Sequence, residues 1–322
     1  MNGPRVSVLL ASRNGADTLP QALESLAAQR YPNVEIIAVD DGSTDGTGTI
    51  LERFAAAHAH VVVLRGSGLG LATALNLAAL NSTTGELFAR HDDDDRSHPD
   101  RFARQVEFLE RNPAIAIVGT AARRIGPAGE PLGDYPVPSD PAAIRRALRR
   151  GPPFVHGSVM MRAGAFRTVG GYRAAFLASQ DYDLWLRFPP DTGFANLPEP
   201  LYDWRCHPRG TFMRDRPSQL RFNALARVFA RERAEFGVDS YDAFKRARDL
   251  ETFVGAYRLG DRLALLLGEL HARDGLLPQA RHWFRRALAS RRTAAAAAAW
   301  WGATFAVALT PRARRHARRG AP

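Results

Sequence analysis

Four consecutive carboxylates, Asp92 to Asp95, stand in the stretch RHDDDDRSHP, between the apolar run GELFA and the helix-like run RFARQVEFLE. Side by side, four like charges repel and lower local stability, so a compensating cation has to be sought. An Asp-x-Asp-Asp arrangement on a turn after a strand lets one carboxylate bind a divalent cation while a neighbour hydrogen-bonds a ribose. Hard cations such as Mg2+ and Mn2+ take few oxygens from protein and the rest from phosphate and water. That suits a nucleoside diphosphate. The plain alternative, a solvated acidic loop, sits poorly with aspartates that directly follow an apolar strand.

Two more acidic motifs carry possible chemistry. In VDDGSTDGT, Val39 to Thr47, Asp40 and Asp41 close a strand and precede a turn onto a helix. Carboxylates there can accept the N–H groups of a nucleobase as one bidentate partner. Ser43, Thr44 or Asp45 would each suffice to cap the next helix, so two preceding aspartates exceed what capping needs. In ASQDYDLWLRF, Asp181 and Asp183 open an aromatic helix turn. Two positions apart on a helix, they point away from each other. One is a candidate general base and the other a structural hydrogen-bonder. Around them stand PPFVHGSVMMR with His156, GGY at Gly170 to Tyr172, and YDWRCHPRG with Arg205 and His207. His156 is a ligand contact or a structural histidine. Arg205 and His207 face a diphosphate or serve the fold.

These residues need a scaffold, and the periodicity supplies one. Short apolar runs at Val6–Ala11, Val34–Val39, Val61–Leu64 and Glu86–Ala89 predict buried strands. Helical patterns lie between them at Asp17–Arg30, with Asp17 as cap, at Ile50–Ala57 and at Leu71–Leu80, the last after a loop with Gly66, Gly68 and Gly70. A helix over Phe102–Arg111 and a strand over Ile115–Val118 follow. Residues 126–141, rich in Pro and Gly, read as a loop. Phe154–Met161 is strand-like, Gln180–Arg187 helical and Leu201–Arg205 a final short strand. Alternating strands and helices predict an α/β fold with a parallel or mostly parallel sheet covered on both faces. In such sheets the ligand crevice lies at the carboxyl ends of the strands. Both acidic motifs after strands fall there, in one crevice. From about Gln219 the pattern is helical, and Leu263–Asp274, Gly275 and Pro278–Ala289 form a hairpin resembling one tetratricopeptide unit. One unit makes no solenoid, so propping the main domain is its expected role. The expected domains are 1–212, carrying the crevice, and a helical region over 213–322.

In order, VSVLLASRNG, VDDGSTDGT, GELFARHDDDDRSHPDRF, HGSVMMR, GGYR and QDYDLWLR resemble the family 2 glycosyltransferases, whose fold is GT-A. The resemblance covers residues 5 to about 210. It implies that Ser12, Arg13, Asp40, Asp41 and Asp92 bind the nucleotide, with Asp40 and Asp41 reading the uracil of a UDP-sugar. It implies that Asp92 and Asp94 form the Asp-x-Asp pair with Asp95 beside it, that Asp94, Asp95 and His207 contact Mn2+ or Mg2+, and that Asp181 is the catalytic base. The implied reaction is an inverting transfer from a nucleotide sugar to a hydroxyl of a glycan or lipid-linked acceptor, in building a surface glycan. No Gln-x-x-Arg-Trp motif of processive synthases is visible, so transfer of a single sugar is expected. Three positions depart from the family pattern. Arg13 stands where an aromatic residue is frequent, which makes base stacking cationic. Gln180 replaces a glutamate before the implied base. Asp93 replaces a small residue, and its extra charge is expected to point to solvent.

Two other readings compete. A sugar nucleotidyltransferase would need a Gly-rich basic loop that LLASRNGADTL lacks, and a non-catalytic nucleotide-sugar-binding scaffold would not need Asp181. The hydrophobic fraction of 45% and charged fraction of 24% exclude a disordered or collagen-like chain. One cysteine, Cys206, excludes an internal disulfide framework and a cysteine-based zinc site. The net charge of +11 comes almost wholly from arginine, with Lys245 the only lysine. It marks a solvated basic surface or an anionic partner, and nucleic acid is not expected because stacking aromatics are not interleaved. MNGPRVSVLLASRNG does not read as a signal peptide, which points to a cytoplasmic location. The uncharged stretch Thr293–Leu309, with Trp300 and Trp301 and flanking arginines to Arg319, is short of a membrane span. It fits a packed helix or peripheral contact with the inner face of the cytoplasmic membrane.

Overall fold

The computed structural model describes residues 3–82, 84–206, 215–247, 249–256 and 260–288. The chain divides into two compact units, Met1–Met213 and Arg214–Pro322.

The first unit is built on one mixed sheet. Strands β1 (Val6–Ser12), β2 (Val34–Asp41), β3 (Val61–Gly66) and β4 (Leu87–Asp92) are all parallel, in the order β3-β2-β1-β4. Every residue of β1 is buried, because helices cover both faces of the sheet. The covering helices are α1 (Leu19–Ala27), α2 (Thr47–Ala57), α3 (Leu71–Leu80) and α4 (Arg101–Arg111). Alternation along β1 sorts its side chains, since successive residues point to opposite faces. Val8 and Leu10 meet α1, α2 and α4 through Leu23, Leu51 and Phe102. Leu9 and Ala11 meet α3 through Leu75 and Ala78. The first helix starts at Leu19 rather than at Asp17, and its N-cap is Thr18. Its first amides turn onto the Gly15 carbonyl, which accepts from Thr18 N at 3.0 Å and Leu19 N at 2.9 Å.

Beyond β4 the sheet becomes mixed. It continues through β8 (Met160–Arg162), β6 (Ile115–Ile125), β9 (Gly193–Arg205) and the two-residue β5 (Arg96–Ser97), with β7 (Pro131–Tyr135) pairing β6. β8 is antiparallel to both β4 and β6, while β6 and β9 are parallel. Residues 126–141 are therefore not one loop. They hold β7 and lead into α5 (Pro141–Leu148), which Asp140 caps by accepting Ala143 N at 2.7 Å. The strand expected over Phe154–Met161 is a 3-10 turn at His156–Ser158 followed by β8. β9 begins at Gly193, eight residues before the expected Leu201. Pro198 and Pro200 lack a backbone N–H and sit where the register with β6 shifts, between Thr120 and Ala121. Helices α6 (Ala163–Thr168) and α7 (Gln180–Arg187) cover the α3 face with Phe166, Leu184 and Trp185.

The second unit is helical among its described residues: α8 (Arg216–Phe236), α9 (Tyr241–Arg246), α10 (Leu250–Ala256), α11 (Gly260–Arg273) and α12 (Leu277–Leu288). Asp215 caps α8 through Ser218 N at 3.0 Å. The expected hairpin is α11 and α12. A Cβ at Gly268 would stand 2.5 Å from the Phe284 ring, so that ring lies flat on the α11 backbone. Among the described residues no helix is long and apolar enough to cross a membrane. The 293–319 stretch lies outside the described residues.

Candidate active site

Parallel register aligns the chemistry. Ser12 pairs with Asp40 across β1 and β2, and Ala11 pairs with Asp92 across β1 and β4. The strands thus end in one row, Asp40–Ser12–Asp92, at the carboxyl edge of the sheet. The first turn grips the second. Asn14, at φ 56°, adopts the left-handed conformation that asparagine tolerates. Its side-chain oxygen accepts Thr44 N at 2.8 Å, and its own N–H donates to Ser43 Oγ at 3.0 Å. A bond from the Thr47 hydroxyl, then the amides of Thr47 at 2.9 Å and Ala16 at 3.2 Å, hold the Asp45 carboxyl below the usual range.

Asp40 and Asp41 are both buried but do different work. Asp41 accepts three backbone amides of the glycine loop: Gly68 N at 3.0 Å, Leu69 N at 2.6 Å and Gly70 N at 2.8 Å. It shapes that loop. Asp40 accepts Ser43 N at 3.0 Å, with Arg65 3.5 Å from its other oxygen. Arg13 is exposed, and its guanidinium reaches to 3.7 Å from where a Gly68 Cβ would be. Arg13 therefore overhangs the loop that Asp41 orders.

At the end of β4 a buried polar ring surrounds the aspartates. Arg90, 1% exposed, pairs with Asp92 and donates to the Leu9 carbonyl at 3.3 Å. Arg101, fully buried at the start of α4, donates to the Gly157 carbonyl at 2.6 Å and the Arg90 carbonyl at 3.1 Å. Its guanidinium also lies 5.0 Å from the Tyr202 ring centroid. The Tyr202 hydroxyl accepts Asp92 N at 3.1 Å and bonds the Asp95 carboxyl. A Cβ at Gly157 would stand 2.0 Å from that hydroxyl and 2.7 Å from Asp92 Oδ2, so only glycine lets the 3-10 turn close on the aspartates. Of the two roles open to Arg205, a diphosphate contact or service to the fold, the structure shows the second. Arg205 is 3% exposed and donates to the carbonyls of Asp94 at 2.6 Å, Gly126 at 3.1 Å and Pro127 at 2.8 Å, and to Gln21 Oε1 at 2.9 Å. It locks the Asp94–Asp95 turn to the β6–β7 hairpin. His207 lies outside the described residues.

Asp93 does not point to solvent. It turns inward and accepts Ser12 Oγ at 2.5 Å. Burial, then the neighbouring Asp94, pushes its carboxyl up to about 7. Burial followed by Asp94 and Asp92 pushes Asp95 well above the carboxylate range. Among the described residues no three His, Cys, Asp or Glu side chains converge as a closed metal cage. The donor set fits a divalent cation of the other kind, held by one or two carboxylates and completed by substrate phosphates. Asp95, 2% exposed, already accepts Arg205 N at 2.7 Å beside its bond to Tyr202, while Asp94 next to it is half-buried.

On α7 the two aspartates divide. Asp183 is fully buried and bound by Arg187 at 2.8 Å and Arg173 at 3.5 Å, which makes it the structural member. Asp181, half-buried on the first turn, makes no ion pair or hydrogen bond with the described residues. Trp185, one turn further on, packs edge-on against the His156 ring. Sequence reasoning missed Arg90, Arg101 and Tyr202. One signal was available: an arginine inside the apolar run GELFAR, directly before four carboxylates.

Comparison with known proteins agrees with this geometry. Residues 7–170 match the family model described as glycosyl transferase family 2. The chain is 40% identical over 210 residues to the putative glycosyltransferase EpsE of Bacillus subtilis, covering 63% of this chain and 74% of that one. It is 33% identical over 204 residues to the amylovoran biosynthesis glycosyltransferase AmsE of Erwinia amylovora, covering 62% and 75%. Among solved structures it resembles the mannosyltransferase PcManGT of Pyrobaculum calidifontis in complex with GDP-Man and Mn2+, with a TM-score of 0.57 at 20% identity over 97% of this chain and 83% of that one. It also resembles S. aureus TarS 1-349 in complex with UDP-GlcNAc, with a TM-score of 0.58 at 16% identity over 87% and 88%. These likenesses establish the GT-A fold.

Proposed function

The chain belongs to glycosyl transferase family 2, and on that premise we propose that it moves a single sugar from a UDP-sugar to a hydroxyl of a glycan or lipid-linked acceptor, inverting the anomeric centre. The observation that carries this reading is that one 3-10 turn touches both motifs: its Gly157 closes on the Asp92 carboxylate, and its His156 packs against Trp185 of α7, the helix that carries Asp181. Asp40, Ser12 and the overhanging Arg13 border the nucleobase side, and Asp41 orders the glycine loop beside it. Asp92, fixed by Arg90, serves the ribose. Asp181 takes the proton of the acceptor hydroxyl while that oxygen bonds the anomeric carbon and the diphosphate leaves from the opposite face. Mn2+ or Mg2+, when bound by Asp94 and Asp95, supplies positive charge against the leaving diphosphate. His207 is a further candidate ligand from its sequence position.

Donors of this class accompany the structural neighbours, UDP-GlcNAc with TarS and GDP-Man and Mn2+ with PcManGT. The name of AmsE supports polysaccharide synthesis as the setting. The catalytic domain is 1–212, and the helical region 213–322 is left for acceptor, partner or membrane contact.

Calorimetric titration with UDP, GDP and dTDP, each with and without Mn2+, tests the donor. UDP binding that requires metal and disappears in Asp94→Ala is the expected result; no nucleotide binding at all overturns the reading. In Asp181→Ala, UDP affinity should persist while transfer falls at least about a hundredfold. Transfer at the wild-type rate would move the base elsewhere.

A further inference from the structure

His156 has the placement of a ligand contact. It opens the 3-10 turn whose next residue, Gly157, closes on the Asp92 carboxylate. Its imidazole is half-buried and packs edge-on against Trp185, one helical turn after Asp181, and against Tyr172. Its Nε2 lies 2.8 Å from the Tyr172 hydroxyl. Tyr172 is 3% exposed and is itself fixed by its backbone, whose N–H donates to Asn76 Oδ1 at 2.9 Å and whose carbonyl accepts Asn76 Nδ2 at 2.7 Å. Among the described residues that hydroxyl has no other acceptor, so it donates to Nε2. The proton of the neutral ring then resides on Nδ1. Nδ1 has no hydrogen-bond partner among the described residues and is not sealed from solvent, so its N–H is available to a ligand.

We infer that His156 is a specificity contact for the transferred sugar, donating Nδ1–H to one of its hydroxyl oxygens, and that Tyr172 is the positioning residue that fixes this tautomer. The location supports it, because the His156 turn closes on Asp92 through Gly157 and packs on the Asp181 helix through Trp185, and the sugar has to sit between leaving diphosphate and base. A neutral ring is also what the surroundings favour. Burial, then the Arg90 guanidinium, holds the imidazole below its ordinary range, and burial keeps the Tyr172 phenol protonated. A neutral donor discriminates a hydroxyl without adding a charge to a site already crowded with them.

This inference rests on the nucleotide-sugar reading, and the test separates the two. Full-length protein is titrated with UDP and with a panel of UDP-glucose, UDP-galactose and UDP-GlcNAc, and with GDP beside GDP-mannose. If the wild type binds no nucleotide, the reading above fails and this one falls with it. If it does, His156→Ala should leave the free nucleotide's affinity within twofold and weaken the preferred sugar nucleotide about tenfold, the worth of one neutral hydrogen bond. Asparagine places its amide nitrogen near Nδ1 and glutamine near Nε2. His156→Asn should therefore retain most of the sugar increment and His156→Gln should lose it. Tyr172→Phe should lose about threefold by releasing the tautomer. Equal losses for UDP and UDP-sugar, or equal behaviour of the Asn and Gln variants, overturn the assignment. Unchanged binding and turnover in His156→Ala does so as well.

Discussion

The turns after β2 and β4 both carry adjacent aspartates at strand ends, yet they are built on opposite terms. After β2, backbone amides satisfy the carboxylates: Asp41 accepts three and Asp40 one. After β4, the carboxylates crowd each other above the buried guanidinia of Arg90, Arg101 and Arg205. The first turn is complete without a ligand, since charge-assisted bonds to amides offset the cost of burial. The second keeps the Asp93 and Asp95 carboxyls raised, by burial and by their carboxylate neighbours. A site that binds nucleotide and cation together needs both kinds, one rigid edge and one that gains stability when filled.

Arg90→Met should break the contrast most severely. It removes the partner of Asp92 and leaves a carboxylate uncompensated beside a buried ring, at a cost of about 3–5 kcal/mol. Denaturant unfolding reads this directly, and a midpoint equal to wild type would mean that Arg90 is not what holds the second turn.

Asp41→Ala should come next. Losing three bonds to one carboxylate costs about 2–3 kcal/mol and frees Gly66–Gly70, read as earlier proteolysis in that loop. Asp40→Ala, with one amide at stake, should cost about 1 kcal/mol. Equal losses at the two positions would erase the distinction between them.

Asp93→Asn should have a modest effect of the opposite sign. The folded carboxyl titrates at about 7, above its ordinary value of 3.8. The native state thus holds a proton that the unfolded chain has released, and the metal-free protein loses stability as pH rises between those two values. Asparagine keeps an oxygen for Ser12 Oγ and removes the charge. At pH 8 the variant should be more stable than wild type by about 1–2 kcal/mol, discounting the full shift for the water around a half-buried group. At pH 4 the two should coincide. Thermal unfolding at both pH values decides it, and a variant less stable at pH 8 would show that Asp93 is not a point of strain. The gain should shrink when Mn2+ is present.

Where side-chain patterns were simple, local reading reached the fold. β1, β2, β3, β4 and α2 to α4 are uniform apolar runs or 3.6-residue repeats, and they lie within a few residues of expectation. Elements went unseen where tertiary partners override the local pattern. β7 is exposed along its whole length and exists because β6 pairs with it. β9 hides behind two prolines that bulges accommodate. The strand expected from Phe154 is bent into a 3-10 turn because Gly157 must approach Tyr202 and Asp92. The site was legible as residue types: Ser12, Arg13, Asp40, Asp41, Asp92, Asp94, Asp95 and Asp181 all stand in motifs that can be quoted. Their division of labour was not. Asp40 and Asp41 look alike in one dimension, and only the glycine loop separates their roles.

By itself, then, the order of strands, helices and acidic turns determined the fold class and the kind of chemistry. Spacing along a chain is enough to place strand ends in one crevice. Tertiary structure decided which charges are spent and which remain available. Arg205 is consumed by four acceptors and Asp183 by two arginines, while Asp181 stays unpaired among the described residues. That outcome depends on distances of about 3 Å between residues far apart in sequence. No local pattern encodes such distances, because they come from packing the whole sheet.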